Sequence, residues 1–197
     1  MHALAIQSSF HATVLYITLI VWIAPEWIGG IFQRPEEGAV TRDRGSHFVL
    51  IAAMAAGVFA AFLCANFVPT ATIVWQRPLV FRFGIALMLI GVAFRWYAIR
   101  VLGKYFTRDV ATRADQQVVE SGPYRWIRHP SYSGTLITVL GFGLATTNWL
   151  ALIAAVLGTL IGLGYRVHVE EHALCETLGE PYRDYMRRIR RFIPFVW

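Results

Sequence analysis

Four apolar stretches, at 11–32, 47–68, 79–101 and 135–165, each come near or exceed the ~20 apolar residues that cross a ~30 Å hydrocarbon core. The chain is 197 residues long, and its 56% hydrophobic and 15% charged content is too apolar for an average soluble domain. An integral membrane protein with one all-α domain over 1–197 is the expected class. The last stretch is about 30 residues, long for one crossing, and Thr146, Thr147 and Asn148 break it near its middle. Two helices of about 16 residues, each about 24 Å long, fit it better. The sequence therefore predicts a polytopic membrane protein of five transmembrane helices, helices four and five forming a short hairpin. A cytoplasmic C-terminal amphipathic helix continues from the fifth and stops at Gly179 and Pro181.

The net charge of +6 is not evenly spread. Arg100, Lys104, Arg108, Arg113, Arg125 and Arg128 follow the third stretch, and Arg183, Arg187, Arg188, Arg190 and Arg191 lie near the C-terminus, whereas residues 1–10 carry no Lys or Arg. The positive-inside rule then predicts both basic regions on the cytoplasmic side, with the N-terminus outside and the Arg34, Arg42 and Arg44 loop inside; Arg77 and Arg82 run against it. The basic excess reads as orientation and contact with anionic membrane lipids, and nucleic acid is not an expected partner. With no cation ahead of a first stretch long enough to remain an anchor, no cleavable signal peptide is expected.

Nothing repeats at a fixed period and no low-complexity linker divides the chain. Residues 1–90 read as a helical bundle, and 91–197 hold the polar blocks in which function is expected. Cys64 and Cys175 have neither disulfide nor zinc spacing and read as packing residues. His168 and His172 are four apart on a helix but lack an evident third ligand, so no metal is expected. Phosphate-cradling glycine loops and a nucleophile with an adjacent base are also missing from the sequence.

Three blocks carry the candidate chemistry. Arg95 sits deep at the end of the third stretch, where a charge needs a partner or a water-filled cavity. In 121–134, SGPYRWIRHPSYSG, Gly122 and Pro123 signal a turn, and Pro130 forces His129 out of helical geometry while opening the next helix. That rigid loop should deliver Arg128, His129 and Tyr132 to a helix N-terminus, a place suited to a carboxylate or phosphate. In the third block Arg166 and Glu170 are four apart and share a helix face, while Glu171, rotated about 100° away, is expected to face water. Either an ordinary ion pair or a site at the membrane border is consistent with Arg166 and Glu170.

Taken together, Gly122-x-Tyr124-x-x-x-Arg128-His129-Pro130-x-Tyr132-x-Gly134, then Arg166-x-x-x-Glu170-Glu171-x-x-Leu174, then Leu178-Gly179-x-x-Tyr182-x-x-Tyr185 resembles the isoprenylcysteine carboxyl methyltransferases and their prokaryotic relatives. The LGKYF segment at 102–106 is similar too, so the likeness runs from about residue 90 onward, and 1–90 match in hydrophobicity only. The resemblance implies methyl transfer from S-adenosyl-L-methionine to a lipid-like or prenylated acceptor at the cytoplasmic membrane face. It implies cofactor contacts from Gln116, Gln117, Val118 and Val119 in a strand-like segment, from Tyr124, Arg128, His129, Pro130, Ser131 and Tyr132, and from Glu170. On the same basis Arg166 and Glu170 are the catalytic pair, and Arg166 with Arg95 contacts the substrate.

Other readings make different demands. A phospholipid amine N-methyltransferase shares the general pattern but must remove a proton, with Glu171 or His168 as the candidate base. A sterol-reductase-like NADPH enzyme carries a similar Arg-His-x-x-Tyr-x-Gly stretch, but with Asn after the His and Asp after the Gly, where this chain has Pro130 and Thr135. A non-enzymatic membrane anchor would bind no S-adenosyl-L-methionine at all.

Overall fold

The structure, a computed structural model, describes residues 9–32, 40–41, 43, 45–106, 111–112 and 116–193. Each apolar stretch of the sequence is helical. The helices α1 (Ser9–Phe32), α2 (Ser46–Phe67), α3 (Arg77–Leu102), α4 (Pro130–Ala145), α5 (Trp149–Leu178) and α6 (Glu180–Arg188) follow in order. Two short strands, β1 (Val40–Thr41) and β2 (Ala111–Thr112), pair antiparallel and tie the α1–α2 loop to the α3–α4 loop. Arg34, Arg42, Arg44, Arg108 and Arg113, which entered the charge argument, lie outside the described residues.

The fourth apolar stretch divides at 146–148 as expected, but unequally: α4 has 16 residues and α5 has 30. No break separates the fifth expected helix from its polar continuation, so the expected amphipathic extension is the end of α5 itself. Gly179, at φ 64°, stops it and opens the short α6. Among the described residues four helices are long and apolar enough to cross a bilayer, covering Ser9–Glu26, Ser46–Phe67, Arg77–Tyr105 and Trp149–Leu178. At 16 residues, α4 falls short of that length.

Asn148 makes the α4–α5 turn specific. Its Oδ1 accepts from the Ala151 N–H at 3.0 Å, capping α5, while Nδ2 donates to the carbonyls of Val68 at 3.0 Å and Cys64 at 3.3 Å. Because Asn148 is wholly buried, these bonds satisfy an amide that would otherwise be costly to bury. The Ile73 N–H donates to the Thr147 carbonyl at 2.8 Å and closes the same corner.

The most extensive helix pairs are α3 with α4 and α2 with α5. Both meet through small residues, as packing in lipid favours. A Cβ on Gly91 would lie 2.4 Å from Thr138 Oγ1 and 2.7 Å from the Gly134 carbonyl oxygen, and one on Gly141 would lie 2.5 Å from Met88 N. On the other seam, Gly158 would place a Cβ 2.7 Å from the Ala53 carbonyl. The backbones of α3 and α4 therefore touch over two turns or more, which fixes the start of α4 against Arg95. Gly91→Leu is expected to force the pair apart, at a cost of about 1–3 kcal/mol or more. Melting of detergent-purified protein measures it, and an unchanged midpoint would contradict the seam.

Candidate active site

The loop ahead of α4 is built by its prolines and Gly122. Gly122, at φ 54°, opens a 3-10 turn over Gly122–Arg125 that buries Pro123 and Tyr124. Pro130 begins α4, where its missing N–H costs nothing, and His129 before it adopts φ −122°, ψ 59°, outside helical geometry. The loop is then clamped from outside its own segment. Arg128 N–H donates to the Arg190 carbonyl at 2.7 Å, and His129 N–H to the Arg191 carbonyl at 3.0 Å. The segment after α6 thus runs alongside the loop.

One turn into α4, Tyr132 meets α5. Its hydroxyl donates to Glu170 Oε2 at 2.7 Å and accepts from Arg166 Nε at 3.1 Å. Tyr132 therefore stands between the two charged side chains that the sequence places on one helix face. Arg166 itself is 3% exposed. Its Nη1 donates to Ser46 Oγ at 2.8 Å and pairs with Asp43 Oδ1, so a guanidinium from α5 is fixed by α4 on one side and the start of α2 on the other. The geometry suits recognition of an anion by a planar, charged fork.

Glu171 does not face water as the sequence suggested; it is 5% exposed and lies at the centre of a charge cluster. Oε1 takes Arg128 Nη2 at 2.9 Å and His129 Nε2 at 3.1 Å, and Oε2 takes Arg191 Nη2 at 2.8 Å. A carboxylate accepts only, so His129 carries its hydrogen on Nε2. The remaining guanidinium nitrogen of Arg128, Nη1, donates to the Met186 carbonyl at 2.8 Å and also to that of Ile189. Sequence separation conceals this cluster: Arg191 reads as one of five basic residues near the C-terminus, with nothing to mark it as a partner of Glu171.

Tyr132 lines an open pocket with a cavity volume of about 90 Å³. Of the residues expected to meet a cofactor, Gln116, Gln117, Val118, Val119, Tyr124, Arg128, His129, Ser131, Tyr132 and Glu170 line it, as does Arg166. The segment 116–119 forms no strand; the nearest strand in sequence is β2. Pro130 is outside the lining and serves to start α4. Leu102, Tyr105, Phe106, Leu174, Leu178, Tyr182 and Tyr185 complete the wall, and the sequence signal for them was their place in the motif. Burial first, and nearby carboxylates, push the Tyr124, Tyr182 and Tyr185 hydroxyls above the ordinary phenol range, so all three stay protonated at neutral pH. Gln116 Oε1 is buried without a hydrogen-bond partner among the described residues, and thus offers an acceptor to a bound donor.

The family model for the isoprenylcysteine carboxyl methyltransferases matches residues 84–176, which hold α4, most of α5 and the loop between α3 and α4. Residues 84–176 are similar to the isoprenylcysteine carboxyl methyltransferase family. Over 123 residues the chain is 32% identical to protein-S-isoprenylcysteine O-methyltransferase B of Arabidopsis thaliana, covering 61% of this chain and 62% of that one. It is 31% identical over 115 residues to the protein-S-isoprenylcysteine O-methyltransferase of Saccharomyces cerevisiae, covering 57% of this chain and 48% of the yeast protein. A solved structure of the eukaryotic intramembrane Ras methyltransferase superposes with a TM-score of 0.59 at 28% identity, over 74% of this chain and 52% of that one. The chain thus spans less than two thirds of the length of these relatives. With four long apolar helices among the described residues and a fold like that of the solved intramembrane enzyme, it is an integral membrane protein.

Within the family-matched segment, Arg95 lies apart from the other expected site residues. It is outside the pocket lining and binds Glu26 of α1 through two contacts, Nε to Oε1 at 2.5 Å and Nη2 to Oε2 at 3.0 Å. Its Nη1 donates to the Ser131 carbonyl at 3.3 Å. A deep charge has found a partner here, and the bidentate pair staples α1 and α3 to the first turn of α4.

Proposed function

We propose that this protein transfers a methyl group from S-adenosyl-L-methionine to the carboxylate of an isoprenylcysteine-like lipid at the cytoplasmic membrane face. The observation that carries the reading is the line Arg166–Tyr132–Glu170 in the pocket wall, inside the family-matched segment. The pocket residues fit the donor: Gln116 Oε1 awaits a hydrogen-bond donor such as an adenine amino group, Tyr105 and Phe106 offer ring faces, and Glu170 offers a carboxylate to a cationic group. When bound, S-adenosyl-L-methionine supplies an electrophilic methyl group on a sulfonium.

The protein's own share is placement. An acceptor α-carboxyl, with a pKa of about 3.3–3.7, is ionised at neutral pH, so no general base is required. Arg166 holds that carboxylate, Tyr132 fixes the guanidinium plane through Nε, and Glu170 is fixed by the same hydroxyl. Holding acceptor oxygen and methyl in line is the main source of acceleration available to such a site. The amine-methylating alternative needs a base, and Glu171 is committed to Arg128, His129 and Arg191 while His168 is exposed outside the pocket. In this reading α4 makes a fifth, short crossing paired to α5, with the α1–α2 loop, the 116–129 loop and the end of α5 on the cytoplasmic side.

Incubation of detergent-purified protein with methyl-labelled S-adenosyl-L-methionine and farnesylcysteine, phosphatidylethanolamine or short branched isoprenoid acids tests the reading. Base-labile label on farnesylcysteine or an isoprenoid acid is expected. Base-stable label on phosphatidylethanolamine would replace it with the amine reading.

A further inference from the structure

Asp43 lies outside the family-matched segment, in the loop between α1 and α2, yet it reaches the guanidinium at the centre of the pocket wall. It is firmly seated. Its carbonyl accepts the Ser46 N–H at 2.8 Å, its Oδ1 accepts Ser46 Oγ at 2.8 Å, and its Oδ2 accepts the His47 N–H at 3.2 Å, so the side chain caps the start of α2. From that seat it pairs with Arg166 Nη1, and Ser46 Oγ takes the same nitrogen at 2.8 Å.

The pairing has a consequence for Glu170, which sits four residues along on the same face of α5 as Arg166. A buried guanidinium requires a counter-ion. While Asp43 supplies one, Arg166 is drawn toward the start of α2 and Glu170 is held by Tyr132. Remove the Asp43 charge, and the carboxylate one turn away becomes the partner that Arg166 can reach. Closing that pair would take the arginine from the acceptor and the glutamate from the cofactor together. We propose that Asp43 is a positioning residue, the counter-ion that keeps Arg166 from collapsing onto Glu170, and that α2 thereby takes part in acceptor recognition. The proposal rests on the methyltransferase reading for the identity of the acceptor.

A double-mutant cycle tests it by direct binding of radiolabelled farnesylcysteine without cofactor, so that the effect of Glu170 on the cofactor does not enter. Asp43→Asn is expected to weaken binding about tenfold, the scale of losing one well-oriented charged contact. In a Glu170→Gln background the same change is expected to have less than about a twofold effect, because the competing carboxylate is gone. Equal weakening in both backgrounds would mean that Asp43 serves stability alone and would overturn the proposal; tighter binding in Asp43→Asn would overturn it as well, showing competition with the acceptor. Ser46→Ala, which leaves both charges in place, covers the case in which Asp43→Asn does not fold. It is expected to weaken binding about threefold in the Glu170 background alone, and an effect equal in both backgrounds counts against the proposal. Wild-type protein that binds farnesylcysteine but never methylates it would sink the proposed function and leave the cycle decisive; failure to bind would sink both.

Discussion

Arg166→Ala is expected to lose about a hundredfold or more in methyl transfer to farnesylcysteine while binding S-adenosylhomocysteine as the wild type does. The guanidinium is held at Nε by Tyr132 of α4 and at Nη1 by Ser46 of α2 and by Asp43 of the loop before it. Deleting it removes the partner proposed for the acceptor and leaves Tyr132 still donating to Glu170 at 2.7 Å. Arg166→Lys keeps the charge but loses the fork that can engage Tyr132, Ser46 and Asp43 together, so its activity should fall between the two. Single-turnover rates beside equilibrium binding of S-adenosylhomocysteine separate the effects. Loss of cofactor binding with acceptor affinity intact would assign Arg166 to the other half of the pocket.

Glu171→Ala should do the reverse, damaging the fold before the chemistry. Its carboxylate is the common partner of Arg128, His129 and Arg191. Removing one member of a buried ionic cluster costs about 3–5 kcal/mol, since the remaining charges stay buried without compensation. At about 2–4 °C per kcal/mol for a chain of this size, the melting midpoint should fall by roughly 10 °C. Glu170→Ala, whose half-buried carboxylate accepts from Tyr132 and lies 3.9 Å from His129 Nδ1, is the control: cofactor binding should suffer and the midpoint should move little. Equal midpoints for the two variants would contradict the division of labour between adjacent glutamates.

Much of this was legible because the signals are local. Apolar length marked the helices, Thr146–Asn148 marked the turn, and Pro123 and Pro130 marked the loop that carries His129 and Tyr132. The spacing of Arg166 and Glu170 put both on one helix face, and both meet the Tyr132 hydroxyl there. What was hidden depends on partners far apart in sequence. Asp43 meets Arg166 across 123 positions, and Glu26 meets Arg95 across 69. Helical periodicity placed Glu171 away from Glu170 and thus toward solvent, but the segment after α6 returns to cover that face, and a basic run gives no hint that one of its arginines turns inward. Arg95 illustrates the same limit from the other side: its depth signalled a partner, and only the path of α1 decides that the partner is protein.

Helix α5 joins the buried α4–α5 turn, fixed by Asn148, to the pocket wall at Arg166, Glu170 and Leu178 without interruption, over 30 residues or about 45 Å. A rod anchored at one end and bearing chemistry toward the other converts tilt into displacement. Bilayers of different hydrocarbon thickness impose different tilts on a helix of fixed length. Acyl chain length in a reconstituted assay is therefore a mechanical variable for this protein, acting on the distance between α5 and the loop it must meet.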